Sequence, residues 1–299
     1  MRHFISISDL GHEYAMKVLK RAREMKDGKY RSKLLDGKSI VMIFEKSSTR
    51  TRLSFDVAIK QLGGDLIFMT PAESQLGRSE PLRDTARVIS RYCDGMVVRT
   101  FGEERLMELK EYGSVPVVNA LTDEGHPCQI MADILTIYER TPDLSKQRVS
   151  WVGDGNNMAN SWMEAAIYFP FELALACPKG YEPNAALLER CRKAGAKINL
   201  TNDLKEAVKG ANYVTTDVWA SMGQEAEQKE REKAFKGFIV NEALMSLAAP
   251  GAKFLHCLPA HRGEEVSEGV LEGECSIVWD EAENRLHAQK AILEWVFSE

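Results

Sequence analysis

The sequence predicts an α/β fold of two domains, each a mainly parallel sheet flanked by helices. Three observations carry that expectation. Short apolar runs alternate with helical patterns along the chain, a length of 299 residues favours two domains, and polar residues able to do chemistry gather directly after the apolar runs.

The strand-like runs fall at residues 39–44, 66–69, 95–99, 115–118, 148–152, 172–176, 213–216 and 254–258. They split evenly at the polar stretch 139–147, which follows a strongly patterned helix over about 129–138. That stretch is the expected boundary, giving domains of 1–140 and 141–283, with a final helix over about 284–299 packing back onto the first. In open parallel sheets ligands sit at the carboxyl ends of strands, so those ends are where chemistry is sought. The first half offers Glu45-Lys-Ser-Ser-Thr-Arg-Thr-Arg52, Arg99 and His126-Pro-Cys-Gln129. The second offers Gly153-Asp-Gly-Asn-Asn157, Asp217-Val-Trp-Ala-Ser-Met-Gly223 and His256-Cys-Leu-Pro259, while the charged stretch 225–236 reads as solvated helix or loop.

Composition limits the partners. A formal net charge of −5, with basic residues dispersed along the chain, argues against a nucleic-acid surface and makes any anion site local. The six cysteines form no CxxC pair and no regular spacing, which reads as reduced thiols. The first residues hold too short an apolar run for a signal peptide, and no stretch approaches the roughly 18 apolar residues of a membrane span. The expectation is a cytoplasmic protein with neither a membrane nor a nucleic-acid partner.

In "SSTRTRLSF", Ser47 to Thr51 suit a helix start, with Phe55, Ala58, Ile59 and Leu62 as the apolar face and Gly63-Gly64 as the stop. Unpaired N–H groups and a positive dipole end favour an anion there, and two arginines add bidentate phosphate grips. The same residues also fit a capped helix with exposed arginines, and the nucleotide P-loop pattern is absent. Gly153-Asp-Gly-Asn-Asn-Met158 imitates a dinucleotide fingerprint but has Met158 where the third glycine belongs, leaving a nicotinamide enzyme as the weaker alternative. Asn156 and Asn157 fit a helix cap or a carboxylate site. His256 and Cys257, with His261, Glu264 and Glu265, invite a metal, yet adjacent strand residues point to opposite faces and one ion does not easily take both. No metal is expected.

Taken together, these motifs make the chain resemble the aspartate and ornithine carbamoyltransferase family over essentially its whole length. Ser48-Thr-Arg-Thr-Arg52 is similar to the family's carbamoyl phosphate signature, and Ser74-Gln-Leu-Gly77, Arg99 and His126-Pro-Cys-Gln129 follow in the expected order. Asp217-Val-Trp-Ala-Ser-Met-Gly223, His256-Cys-Leu-Pro259 and Glu281-Ala-Glu-Asn-Arg285 resemble the ornithine branch.

The resemblance implies a carbamoyl phosphate-binding first domain, an ornithine-binding second domain, and carbamoyl transfer without a cofactor. It implies phosphate binding by Ser48, Thr49, Arg50 and Thr51, with Arg99, His126 and Gln129 around the carbamoyl end. It further implies ornithine binding by Asn157, Asp217, Ser221 and Met222, with Cys257 and Leu258 completing the pocket and Arg285 contacting carbamoyl phosphate. Catalytic roles fall to Arg99, His126, Thr51 and Cys257. Family members are trimers or multiples of trimers with sites between subunits, so Gln75 would reach into the neighbouring subunit's site. Arg52 would support the loop without touching ligand. The residue chemistry agrees: Asp217 suits an ammonium and Asn157 a carboxylate.

Overall fold

The structure, a computed structural model, describes residues 1–73, 80–220 and 228–298. It divides into two compact units, Met1–Leu135 with Glu283–Glu299, and Thr136–Ala282. Both are α/β, each with a parallel sheet.

Unit 1 runs α1 (Gly11–Lys26), β1 (Ser39–Phe44), α2 (Thr49–Gln61), β2 (Asp65–Met69), α3 (Leu82–Tyr92), β3 (Gly95–Arg99), α4 (Glu103–Tyr112), β4 (Val117–Leu121) and α5 (Pro127–Arg140). Its sheet has the order β2-β1-β3-β4 with every pairing parallel. Val41, Ile43, Met96, Val98 and Val117 from the sheet pack with Ala86, Ile89, Leu106 and Leu109 of α3 and α4 in one core. Central β1 and β3 are buried almost end to end, which is why they read as unbroken apolar runs, while edge strand β2 is half exposed.

Unit 2 runs β5 (Arg148–Val152), α6 (Asn157–Tyr168), β6 (Glu172–Ala176), α7 (Ala185–Lys193), β7 (Ile198–Thr201), α8 (Leu204–Val208), β8 (Tyr213–Thr216), α9 (Gln228–Ala234), α10 (Glu242–Met245), β9 (Lys253–His256) and α11 (Glu268–Leu271), then enters α12 (Val278–Phe297). Its sheet has the order β7-β6-β5-β8-β9, again all parallel. Val152, Val214 and Phe254 pack with Val208, Leu244, Val270, Leu271 and Val278.

The division between units falls inside two helices, α5 and α12. In both sheets the strand order reverses direction beside the first strand of the unit, between β1 and β3 and between β5 and β8. Loops leaving such a pair diverge to opposite sides and open a crevice at the strand ends, the place where a ligand fits in this class of sheet.

Candidate functional site

In unit 1 the crevice collects the first group of residues. The Ser48 side chain caps α2 by accepting from the Thr51 N–H at 3.2 Å, and no acidic residue stands in that helix's first turn to offset its positive end. Among the described residues Arg50 forms no ion pair, whereas Arg52 stacks its guanidinium 3.7 Å from the Phe68 ring centroid on β2. The loop before the helix is held from behind. Arg105 donates to both oxygens of Glu45, at 2.9 and 2.6 Å, and Thr100 donates to the same carboxylate.

Arg285, on α12, brings the rest together. It donates from Nη2 to the Thr51 hydroxyl at 3.0 Å and from Nη1 to the Gln129 amide oxygen, while Gln129 Nε2 donates to Asp133 Oδ1 at 2.7 Å. All four residues are buried. Arg99 ends β3 where the pairing with β4 slips by one residue, a bulge that re-aims the side chain. His126 precedes α5, and its imidazole is held well below its ordinary pKa of 6.5, first by burial and then by the Arg285 and Arg99 guanidiniums. It is therefore neutral at pH 7. The result is a cluster of guanidiniums, a hydroxyl, an amide and a neutral imidazole at a helix N-terminus, suited to a small anion carrying a carbonyl-like group.

In unit 2 the crevice centres on Asp217, just past β8 and buried. Its Oδ2 accepts from Asn156 Nδ2 at 3.0 Å, and its Oδ1 accepts from the Val218 N–H at 2.8 Å and the Cys257 thiol at 3.2 Å. Asn156 is also the N-cap of α6, taking the Met158 and Ala159 N–H groups on its oxygen, and Asn157 is the first helical residue. Gly153 has φ +142°, and a Cβ on Gly155 would lie 2.2 Å from the Pro183 nitrogen, so this loop demands glycine at both places. Leu258 takes φ +58° and donates its N–H to His256 Nδ1 at 2.9 Å. Gln75, Ser221 and Met222 lie outside the described residues.

Two readings of the sequence change. The donor atoms of Asp217, His256 and Cys257 do lie within 4.8 Å of one another, because β9 ends at His256 and strand alternation no longer governs Cys257. His256 still has no nitrogen to offer, since Nδ1 accepts from Leu258 and Nε2 faces Glu265 Oε1 at 3.2 Å. The stretch 225–236 is not wholly solvated either. Arg231 is buried, donating to Asp154 Oδ2 at 2.7 Å and to the Trp219 carbonyl at 2.9 Å. Burial pushes the Asp154 pKa up, with Arg231 pulling against it and the nearby Asp217 charge adding to the rise.

The sequence reading missed Asp133, Glu45, Arg105, Asp154 and Arg231 as supports, and gave Asn156 only a cap or a carboxylate to hold. Asp133 carried a signal, since Gln and Asp four apart share a helix face. The others depend on partners distant in sequence.

Two family models cover nearly all of the chain. One, described as the aspartate/ornithine carbamoyltransferase carbamoyl-P binding domain, matches residues 2–139, and the other, the Asp/Orn binding domain of the same family, matches residues 145–296. An ornithine carbamoyltransferase of Oleidesulfovibrio alaskensis is 70% identical over 99% of this chain and 98% of its own. One of Nitratidesulfovibrio vulgaris is 69% identical over 100% of this chain and 99% of its own. Among solved structures, the ornithine carbamoyltransferase from Pyrococcus furiosus superposes with a TM-score of 0.94 at 44% identity, covering 99% of this chain and 97% of that one.

Proposed function

We infer that this chain, which belongs to the aspartate/ornithine carbamoyltransferase family, transfers the carbamoyl group of carbamoyl phosphate to the δ-amine of L-ornithine, giving L-citrulline and phosphate. The observation that carries the choice of substrate is the buried Asp217 carboxylate, fixed by Asn156 and Cys257. It offers an ammonium group a preformed counter-charge, where an aspartate substrate would need cations instead.

Ser48, Thr49, Arg50 and Thr51 take the phosphate at the start of α2, with Gln75 contributed by a neighbouring subunit. Arg99, His126 and Gln129 surround the carbamoyl group, Arg285 contacts carbamoyl phosphate, and Asn157, Asp217, Ser221 and Met222 receive the amino-acid end of ornithine. Cys257 and the Leu258 backbone complete the pocket and contact carbamoyl phosphate. The free amine attacks the carbamoyl carbon, a C–N bond forms, and the C–O bond to phosphate breaks as the amine proton passes to the departing phosphate. Arg99, His126 and Thr51 donate to the oxyanion that develops, each such donor being worth about 3–4 kcal/mol. Because His126 is neutral, it acts as an imidazole N–H donor and not as an imidazolium. This chemistry needs no metal or organic cofactor.

The family trimer is supported by one surface. Helix α2 leaves Leu53 58% and Val57 40% exposed one turn apart, an apolar patch that a second copy would cover. Six free cysteines fit a reducing cytoplasm, and citrulline formation fits arginine biosynthesis. No described helix is long and apolar enough to cross a membrane.

The test is citrulline formation with carbamoyl phosphate and ornithine, beside putrescine and an acylated ornithine. Ornithine is expected to be turned over fastest, and faster putrescine turnover under matched conditions refutes the assignment. Arg50→Ala should raise KM for carbamoyl phosphate and Asp217→Ala should mainly impair ornithine use. Unchanged kinetics would remove that residue from the site.

A further inference from the structure

We propose that His261, Glu264 and Glu265 form a binding site for a divalent transition-metal ion, separate from the reacting groups. The turn after β9 is closed by the Glu264 N–H on the His261 carbonyl at 3.0 Å and the Gly263 N–H on the Val266 carbonyl at 2.8 Å. It brings His261 Nδ1 to 3.7 Å from Glu264 Oε2 and 4.0 Å from Glu265 Oε2. Neither separation is a good hydrogen bond. Both are shorter than twice the about 2.1 Å that zinc keeps to nitrogen and oxygen donors, and all three donor atoms lie within 4.8 Å of one another, so a small shift of the half-exposed Glu264 side chain lets one ion gather them.

Glu265 is the observation that points to a ligand. Its side chain is fully buried, with Oε1 accepting from the His261 N–H at 2.5 Å and facing His256 Nε2, while Oε2 takes no hydrogen bond. A buried carboxylate oxygen left without a donor is costly, and this one faces an imidazole nitrogen with a second carboxylate beside it. His261 is 52% exposed and Glu264 37%, so a hydrated ion can enter and keep water in its remaining positions. Arg262, the nearest cation in sequence, is engaged elsewhere, with Glu268 at 2.5 Å and Glu272 at 2.6 Å. One imidazole and two carboxylates, with open positions, suit zinc, cobalt or manganese.

The site stands whether or not the reaction proposed above is right, because the test reads metal binding alone. Protein stripped with a chelator and dialysed is titrated calorimetrically with Zn²⁺, and spectroscopically with Co²⁺, as native chain, His261→Gln, Glu264→Gln and Cys257→Ser. The expected result is one ion per native chain, retained in Cys257→Ser without a thiolate charge-transfer band, and weakened roughly tenfold or more in each of the other two variants. Both altered side chains are substantially exposed, so circular dichroism should show native folding. The proposal falls if native chain binds no ion, if neither His261→Gln nor Glu264→Gln weakens binding, or if Cys257→Ser abolishes it.

Discussion

Asn156 does two jobs with one amide, and they can be separated. Its oxygen caps α6 and its nitrogen holds Asp217, so Asn156→Ser should keep the cap while releasing the carboxylate. The expected outcome is a near-native melting temperature with KM for ornithine raised about tenfold, as for a lost hydrogen bond to a charged group. His126 makes a prediction in pH. Burial lowers its pKa in the folded chain, so between that value and the ordinary 6.5 the unfolded chain binds a proton that the folded chain refuses. Its contribution therefore makes the folded state less stable as pH falls below 6.5, and urea titrations should show a shallower acid loss in His126→Asn. An unchanged acid slope would place the imidazole in water.

The α2 N-terminus is a stability element as well as a proposed grip. Ser48→Ala should cost about 1 kcal/mol in ligand-free unfolding, and Ser48→Gly only a few tenths. Denaturant midpoints with unchanged m-values check this. Elements like this one were legible in the sequence because cap, apolar face and glycine stop all lie in the one continuous stretch 48–64. The central strands were legible because burial on both faces leaves an apolar run. β7 was not: as an edge strand with a half-exposed pattern, Ile198–Thr201 shows no such run. β4 begins at Val117 instead of 115, since Pro116 brings no N–H to the ladder. For the site, strand ends told where chemistry gathers, while the bonds that fix it, Arg285 to Thr51 or Asn156 to Asp217, join residues whose pairing no local pattern encodes. Arg52 shows the limit from the other side, its place on Phe68 following from the neighbouring strand.

At the scale of the molecule, unit 1 depends on the end of the chain. Ile292 and Leu293 of α12 are fully buried and Arg285 joins the anion cluster, so a chain ending at residue 282 should lose carbamoyl phosphate binding. Proteolysis of that chain should digest the first 135 residues while sparing 136–282. For the proposed trimer, Leu53→Lys with Val57→Lys should lower the mass measured by sedimentation from that of three chains to one. The passage of the backbone back into unit 1 through α12 also sets an order of events during synthesis. Thr51 and Arg285 are 234 residues apart, and at about 5–20 residues per second the ribosome supplies the second roughly ten to fifty seconds after the first. Unit 2 is one uninterrupted segment and can close as soon as it emerges, whereas unit 1 waits with a gap in its core. A prematurely terminated chain would thus display a finished unit 2 and an unfinished unit 1 whose core is still open to proteolysis.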